Sequence, residues 1–122
     1  MTTPAAPADD AGVVVHLNAR DTETRRSVLT NVRNLLDGWS GPLPRVKVVV
    51  HGPAVAALVA DAPEWGAVDG LVASGVAFSA CANSLRSLDL NADNLAPAVG
   101  VVTSGVVRLV ERQRQGWAYL RP

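Results

Sequence analysis

Cys81 is the only cysteine of the 122-residue chain, and it lies in the stretch SGVAFSACANSLRSLDL, residues 74–90. A short apolar run, 76–80, precedes it, and a segment that can start a helix follows it. A helix N-terminus offers unpaired backbone N–H groups and the positive end of the helix dipole, and both stabilise an anion. A thiol placed there has a pKa below the free value of about 8.5 and reacts as a thiolate. The position therefore predicts a nucleophilic Cys81.

Two further apolar runs also end in polar residues that lead directly into a helix start, and these are His51-Gly52 and Thr103-Ser104-Gly105. The carboxyl ends of parallel strands meet at one rim of a sheet, where ligands collect. We therefore expect a binding site around the thiol, formed by His51, Gly52, Asn83, Ser104 and Gly105. Asn83 is expected to donate its amide to the sulfur or to cap the helix. The small neighbours Ala80 and Ala82 are expected to leave the sulfur approachable.

A structural interpretation of the same residues stays open. Free cysteine often behaves as a small buried hydrophobe, so Cys81 is equally compatible with inert packing. A histidine at a strand end, such as His51, is commonly a hydrogen-bonded structural residue, and His16, inside the first strand, is assigned to structure. Asn83 and Ser104 are common N-cap types, and the two glycines are compatible with tight turns alone.

The elements that must position these residues follow from the apolar pattern. Short runs rich in β-branched residues predict five strands, at 12–17, 46–50, 76–80, 99–102 and 117–120. Helical periodicity and capping residues predict helices at 21–37, 54–62, 64–74, 82–88 and 104–115. The inner face of the last helix is expected to carry Val106, Leu109, Val110 and Gln113.

Strands that alternate with helices predict an α/β fold, a three-layer α/β/α sandwich with a mostly parallel five-stranded sheet. Residues 12–122 are expected to form a single domain. Residues 1–11, rich in Pro, Ala and Asp, are expected to form a flexible N-terminal tail.

The composition argues against several classes of function. Eleven basic and eleven acidic residues balance, so no nucleic-acid partner is expected. No apolar stretch is long enough to span a bilayer, and the N-terminus lacks the features of a signal peptide. A lone cysteine cannot form an internal disulfide, which favours a reducing cytoplasm. The chain has no Cys-x-x-Cys motif, metal-ligand cluster or glycine-rich nucleotide loop, so neither a metal nor a cofactor is expected.

Three segments together resemble the DsrE/DsrF-like proteins, in particular their small stand-alone branch: VKVVVHGPAVAAL at 46–58, GVAFSACANSLRSL at 75–88 and GVVTSGVVRLVERQRQGWAYLRP at 100–122. The resemblance implies a parallel α/β sandwich that assembles into homo-trimers or hexamers. It also implies that Cys81, at the position of the reactive cysteine, carries a persulfide between donor and acceptor proteins. Asn31 and Asn34 fall where this branch tends to carry asparagine, which implies a rim or interface position.

Two main hypotheses follow, and a third is weaker. The first is an intracellular sulfur carrier or sulfurtransferase-like protein, and whether it is an enzyme is left open. The alternative is a non-catalytic oligomeric module that binds a small anionic or nucleotide-like ligand, with Cys81 as part of the lining. A redox sensor that crosslinks through Cys81 is the third. The three tryptophans, at 39, 65 and 117, are expected either to anchor interfaces or to cap the core edges.

Overall fold

The computed structural model describes residues 11–122, and within them five strands form one fully parallel sheet. The strands are β1 (Val13–Leu17), β2 (Val46–Val50), β3 (Ala77–Cys81), β4 (Gly100–Val102) and β5 (Ala118–Leu120). Their order across the sheet is β4-β3-β2-β1-β5. The tail expected at residues 1–11 lies outside the described residues, apart from Ala11.

Four α-helices connect the strands: α1 (Thr22–Gly38), α2 (Trp65–Ala73), α3 (Ala82–Ser87) and α4 (Gly105–Arg114). Two 3-10 helices, Gly52–Leu58 and Ala92–Asn94, complete the connections. The start of α1 is set by Asp21, whose carboxylate accepts hydrogen bonds from the backbone N–H and the hydroxyl of Thr24 at 2.9 and 2.7 Å. Such an N-cap satisfies donors that the first helical turn leaves unpaired.

The sheet is covered on both faces, and each face has its own core. On one face the strands pack against α1, α2 and the first 3-10 helix, and the largest fully buried side chains there include Phe78, Leu17, Leu29 and Leu58. On the other face a smaller cluster joins α4 to the sheet through Val14, Val49, Leu109 and Trp117. The predicted three-layer α/β/α sandwich with a mostly parallel five-stranded sheet is therefore confirmed.

A buried ion pair joins α1 to the start of α2. Arg25 donates from Nε and Nη2 to Glu64 Oε1 at 2.9 and 2.7 Å, and its Nη1 donates to the carbonyl of Arg20 at 2.7 Å. Burial raises the pKa of the Glu64 carboxyl, but the hydrogen bonds from Arg25, the backbone and Thr22, together with the charge of Arg25, outweigh it, so this pKa lies below its ordinary value. The carboxylate is therefore charged inside the protein and depends on Arg25.

The helix predicted at 54–62 is wrong in type and length. The chain forms the 3-10 helix Gly52–Leu58, and Val59 then turns to extended backbone and pairs with Leu95 in an antiparallel bridge. The run AVAAL is apolar on every side, and all but one of its residues are buried. Periodicity alone does not separate an α-helix from a tighter turn when a segment is buried on all sides.

The inner face predicted for α4 is confirmed for Leu109 and wrong for Val106, Val110 and Gln113. Gly105 and Leu109 are buried, whereas Val106 and Val110 are 56% and 54% exposed, and Gln113 is exposed as well. The sequence of α4 has aliphatic residues on more than one side, so the pattern does not specify which side meets the sheet. Packing of the glycine against the ends of β2 and β3 decides it, because a Cβ atom at residue 105 would crowd His51 and Cys81.

The three tryptophans differ in environment. Trp39 is 46% exposed, Trp65 is half-buried against the main core, and Trp117 is buried in the smaller core. Arg45, Lys47 and Arg112 place their charged groups 5.2–5.5 Å from the centroid of the Trp117 ring. Trp117 therefore caps an edge of the core, which is the second of the two roles expected for the tryptophans.

Candidate functional site at Cys81

Cys81 is both the last residue of β3 and the N-cap residue of α3, with extended backbone angles. Burial raises the pKa of its thiol. Nearby hydrogen-bond donors lower it by more, namely the hydroxyl of Ser84 and the backbone N–H groups of Gly105, Ser84 and Asn83, so the pKa lies below its usual value. These donors stabilise the thiolate over the thiol. The geometry favours a charged, nucleophilic sulfur.

Ser84 connects the sulfur to the next strand end. Its Oγ accepts a hydrogen bond of 2.7 Å from the backbone N–H of Gly52, which leaves the hydroxyl proton to be donated to Cys81. Gly52 has a φ of +62°, which an L side chain rarely adopts, and this turn aims its N–H at Ser84. Sequence reasoning did not single out Ser84. The sequence did offer one indication of its role, because Ser84 follows the N-cap residue by three positions. A side chain at that position can reach back to the N-cap residue.

Gly105 brings the third strand end to the same place. A Cβ atom at this position would lie 3.1 Å from Cβ of His51 and 3.4 Å from Cβ of Cys81. A side chain at residue 105 would therefore crowd His51 and Cys81, and its absence lets the N–H of Gly105 lie close enough to the sulfur to lower the pKa of the thiol. Gly105 therefore serves close approach rather than a turn.

His51 lies beside Gly105 and is hydrogen-bonded to a second histidine. The Nε2 atoms of His51 and His16 are 2.5 Å apart, and His16 Nδ1 is 2.6 Å from the hydroxyl of Tyr119. Burial lowers the pKa of both histidines, and the charge of Arg121 lowers both further. His16 was assigned to structure from its place inside β1. The structure brings its side chain to the rim, where it links His51 to Tyr119.

The side chains of Asn83 and Ser104 form hydrogen bonds elsewhere and not with the sulfur of Cys81. Asn83 Oδ1 accepts from Arg86, and the group of Asn83 that lowers the pKa of the thiol is its backbone N–H. The N-cap of α3 is Cys81 rather than Asn83. Ser104 caps α4 by accepting from the N–H of Val107 at 3.5 Å. Within residues 11–122, the side-chain amide of Asn83 therefore does not donate the hydrogen bond to the sulfur that was expected from the sequence.

Two asparagines named from the resemblance, Asn31 and Asn34, are exposed on α1. Their expected rim or interface position remains a prediction.

The sulfur is less accessible than the sequence suggested. Cys81 is only 5% exposed, because α3 and the N-terminus of α4 close over it. A cavity of about 300 Å³ lies beside it, lined by Gly52, Pro53, Asn83, Ser84, Ser87 and Leu88. Cys81 itself does not line this cavity, but Gly52 and Ser84 do, and Ser84 also lies next to the thiol.

Among residues 11–122, His, Cys, Asp and Glu side chains nowhere form a group of three or more that could hold a metal ion. Within the same range, no helix has both the length and the apolar character needed to cross a membrane.

Replacing Ser84 by Ala is expected to raise the pKa of Cys81, since one of the four donors to the thiolate is lost. The pH dependence of alkylation by iodoacetamide measures this, and its midpoint should move to higher pH. Asn83→Ala is the matched control, because its side chain does not contact the sulfur, and its midpoint should stay at the wild-type value. Equal midpoints in wild type and Ser84→Ala would contradict the role given to Ser84.

Comparisons place the chain among known proteins. It is 38% identical in sequence to MTH1491 from Methanobacterium thermoautotrophicum, a protein of unknown function, with a TM-score of 0.86 over 92% of this chain and 99% of the other. The ychN protein from E. coli has 18% identity and a TM-score of 0.76, again over 92% of this chain and 99% of the other. BT1422 from Bacteroides thetaiotaomicron has 16% identity and a TM-score of 0.74, over 97% of this chain and 99% of the other. These last two similarities concern the fold alone.

No curated protein matches the chain. The sequence pattern of the DsrE/DsrF-like family, in contrast, matches residues 5–122, which include every segment that carried the resemblance. The chain belongs to the DsrE/DsrF-like family.

Proposed function

We propose that the protein is a sulfur carrier that holds a persulfide on Cys81 and passes the sulfur to an acceptor thiol. The observation that carries this proposal is the convergence of four hydrogen-bond donors on one sulfur from α3 and α4. An anionic persulfide has its charge on the outer sulfur, about 2 Å beyond Sγ, where the positive end of the dipole of α3 also favours it. Membership of the DsrE/DsrF-like family supports a role related to sulfur relay.

The proposed step is a displacement at sulfur. The Cys81 thiolate attacks the outer sulfur of a donor persulfide, R–S–SH, and a new S–S bond forms as the old one breaks. Cys81 then carries –S–SH, and the donor leaves as the thiolate R–S⁻, which takes a proton from water. Transfer onward repeats the step with an acceptor thiolate as the nucleophile and the Cys81 thiolate as the leaving group. No external oxidant or reductant is needed, since the outer sulfur keeps its oxidation state.

The burial of Cys81 bears on how the sulfur is exchanged. A persulfide on a residue that is 5% exposed is shielded from solvent oxidants. Donor and acceptor thiols then enter through the cavity of about 300 Å³ beside Ser84. We place this exchange in a reducing compartment, the cytoplasm, where an unpaired thiol stays reduced.

Incubation with a small persulfide donor, followed by intact mass measurement, tests the proposal. The expected result is the addition of one sulfur atom, reversed by an excess of acceptor thiol. A related protein known to carry a persulfide serves as the positive control for the donor. If that control is loaded and this protein gains no sulfur, the proposal fails.

We further propose that copies of this chain assemble through α4. Val106, Val107 and Val110 are each more than half exposed and line one surface with Glu111 and Arg114. Three exposed valines beside one acidic and one basic residue suit a surface that pairs with copies of itself. Light scattering at micromolar concentration should show an oligomer, and Val107→Glu should shift it towards monomer, whereas the exposed Leu43→Glu should not. A wild-type monomer would contradict this assembly.

A further inference from the structure

The order of the strands reverses at one place in the sheet. The chain runs from β1 through β2 and β3 to β4 in one direction, and α4 then crosses the opposite face to place β5 on the other side of β1. In open parallel sheets a crevice forms outside the carboxyl ends of the strands where the order reverses, and ligands bind in it. For this protein that place is between β1 and β5, two strands away from β3, which carries Cys81.

A cavity of about 380 Å³ occupies this place. It lies where β1 and β5 end, beside the first turns of α1, and its polar side chains are those of His16, Asn18, Asp21, Thr24 and Arg121. No residue that lines it also lines the cavity beside Ser84. The crevice is therefore separate from the approach to the thiol.

The lining of the crevice carries one basic and one acidic side chain, and they differ in how they are already paired. Arg121 is exposed and, among residues 11–122, pairs with no carboxylate. The acidic side chain of the lining, Asp21, already accepts two hydrogen bonds from Thr24. The start of α1, a helix of 17 residues, adds the positive end of its dipole.

We propose that this crevice binds a small oxyanion, the carboxylate, sulfate or phosphate group of a small molecule. Arg121 is its counter-ion, and the side-chain amide of Asn18 is a hydrogen-bond donor, whereas both ring nitrogens of His16 are already bonded to Tyr119 and His51. The proposal does not depend on sulfur transfer by Cys81.

Binding at this site should be coupled to proton uptake by the histidine pair. The groups that face the pair are Tyr119 and Arg121 from β5 and the residues after it, and Asp21 and Thr24 from the start of α1. Both histidines have a lowered pKa, so they are neutral at neutral pH, and Arg121 contributes to this in each case. An anion beside Arg121 offsets its charge and favours the protonated pair. The anion should therefore bind more tightly as the pH falls towards and below the ordinary histidine pKa of about 6.5.

Chemical-shift titration of the isotopically labelled full chain tests the site, with sulfate, phosphate and acetate as separate probes. Sulfate keeps its charge over this pH range, so any change in its affinity with pH belongs to the protein. Saturable shifts at His16, Asn18 and Arg121 are expected, and Arg121→Gln should weaken sulfate binding roughly tenfold, the usual effect of losing a hydrogen bond to a charged group. The control Arg26→Gln removes the same charge from an exposed position of α1 that does not line the crevice, and it should bind as wild type does. His51→Asn should flatten the pH dependence.

Three outcomes would overturn the proposal: no saturable shifts with any probe, wild-type affinity in Arg121→Gln, or loss of binding in Cys81→Ser. Loss of binding in Cys81→Ser would show that the anion binds at the thiol instead. Retained binding in Cys81→Ser, together with a failure of wild type to load sulfur, would remove the proposed function and leave this site intact.

Discussion

Replacing Cys81 by Ser should abolish sulfur loading completely, whereas replacing Asn83 by Ala should leave it near the wild-type level. The first change removes the only sulfur nucleophile of the chain, since no other cysteine is present to substitute for it. The second removes a side chain that bonds Arg86 and does not contact the sulfur, while the backbone N–H that donates to Cys81 remains. Intact mass measurement after incubation with a persulfide donor checks both.

The fold should survive the change at position 81, because Ser differs from Cys by one atom and the surrounding donors remain available to its oxygen. An unchanged unfolding midpoint and oligomeric state would show that any loss is chemical. Ser84→Ala is expected to lie between the two variants, with loading retained but shifted to higher pH. Added sulfur in Cys81→Ser would show that the sulfur is carried elsewhere, and it would refute the carrier mechanism.

Replacing Glu64 by Ala should lower the free energy of unfolding by about 3–5 kcal/mol, since it leaves the buried Arg25 guanidinium without its partner. The cost comes from an uncompensated buried charge rather than from lost attraction alone. Urea unfolding measures it, as a lower midpoint with an unchanged slope. The exposed pair of Arg108 and Glu111, at 3.2 Å, is the control, and Glu111→Ala should cost less than about 1 kcal/mol.

The ion pair of Arg25 and Glu64 also makes the free energy of unfolding depend on pH in the acidic range. The pKa of Glu64 is lower in the folded protein than its ordinary value of 4.5, so the unfolded chain binds its proton more readily. Its contribution to stability is therefore fully present above about pH 4.5 and is lost as the pH falls through the folded value. Glu64→Ala should lose this part of the acid dependence. Equal destabilisation by Glu64→Ala and Glu111→Ala would contradict the special status of the buried pair.

The sequence predicts an element correctly where the local pattern determines its type and its buried side. It fails where packing against the rest of the protein determines them. The strands were predictable because continuous β-branched runs, such as VKVVV, are too short and too uniformly apolar for a helix. Helix α1 was predictable because Asp21 caps it and its apolar residues lie on one face. The 3-10 helix after Gly52 and the inner face of α4 were not, because both segments are apolar on several sides.

For the site, the sequence by itself determined that a lone thiol ends a strand and begins a helix, and that three strand ends carry polar residues and glycines. The parallel order of the elements follows from that pattern, and it brings these ends to one rim. Only the tertiary structure decided which groups face the sulfur, how deeply it is buried, and that His16 joins His51. These depend on distances between segments far apart in the chain. A Cβ atom at Gly105 would lie only 3.1 Å from Cβ of His51 and 3.4 Å from Cβ of Cys81, and no local pattern encodes so close a fit.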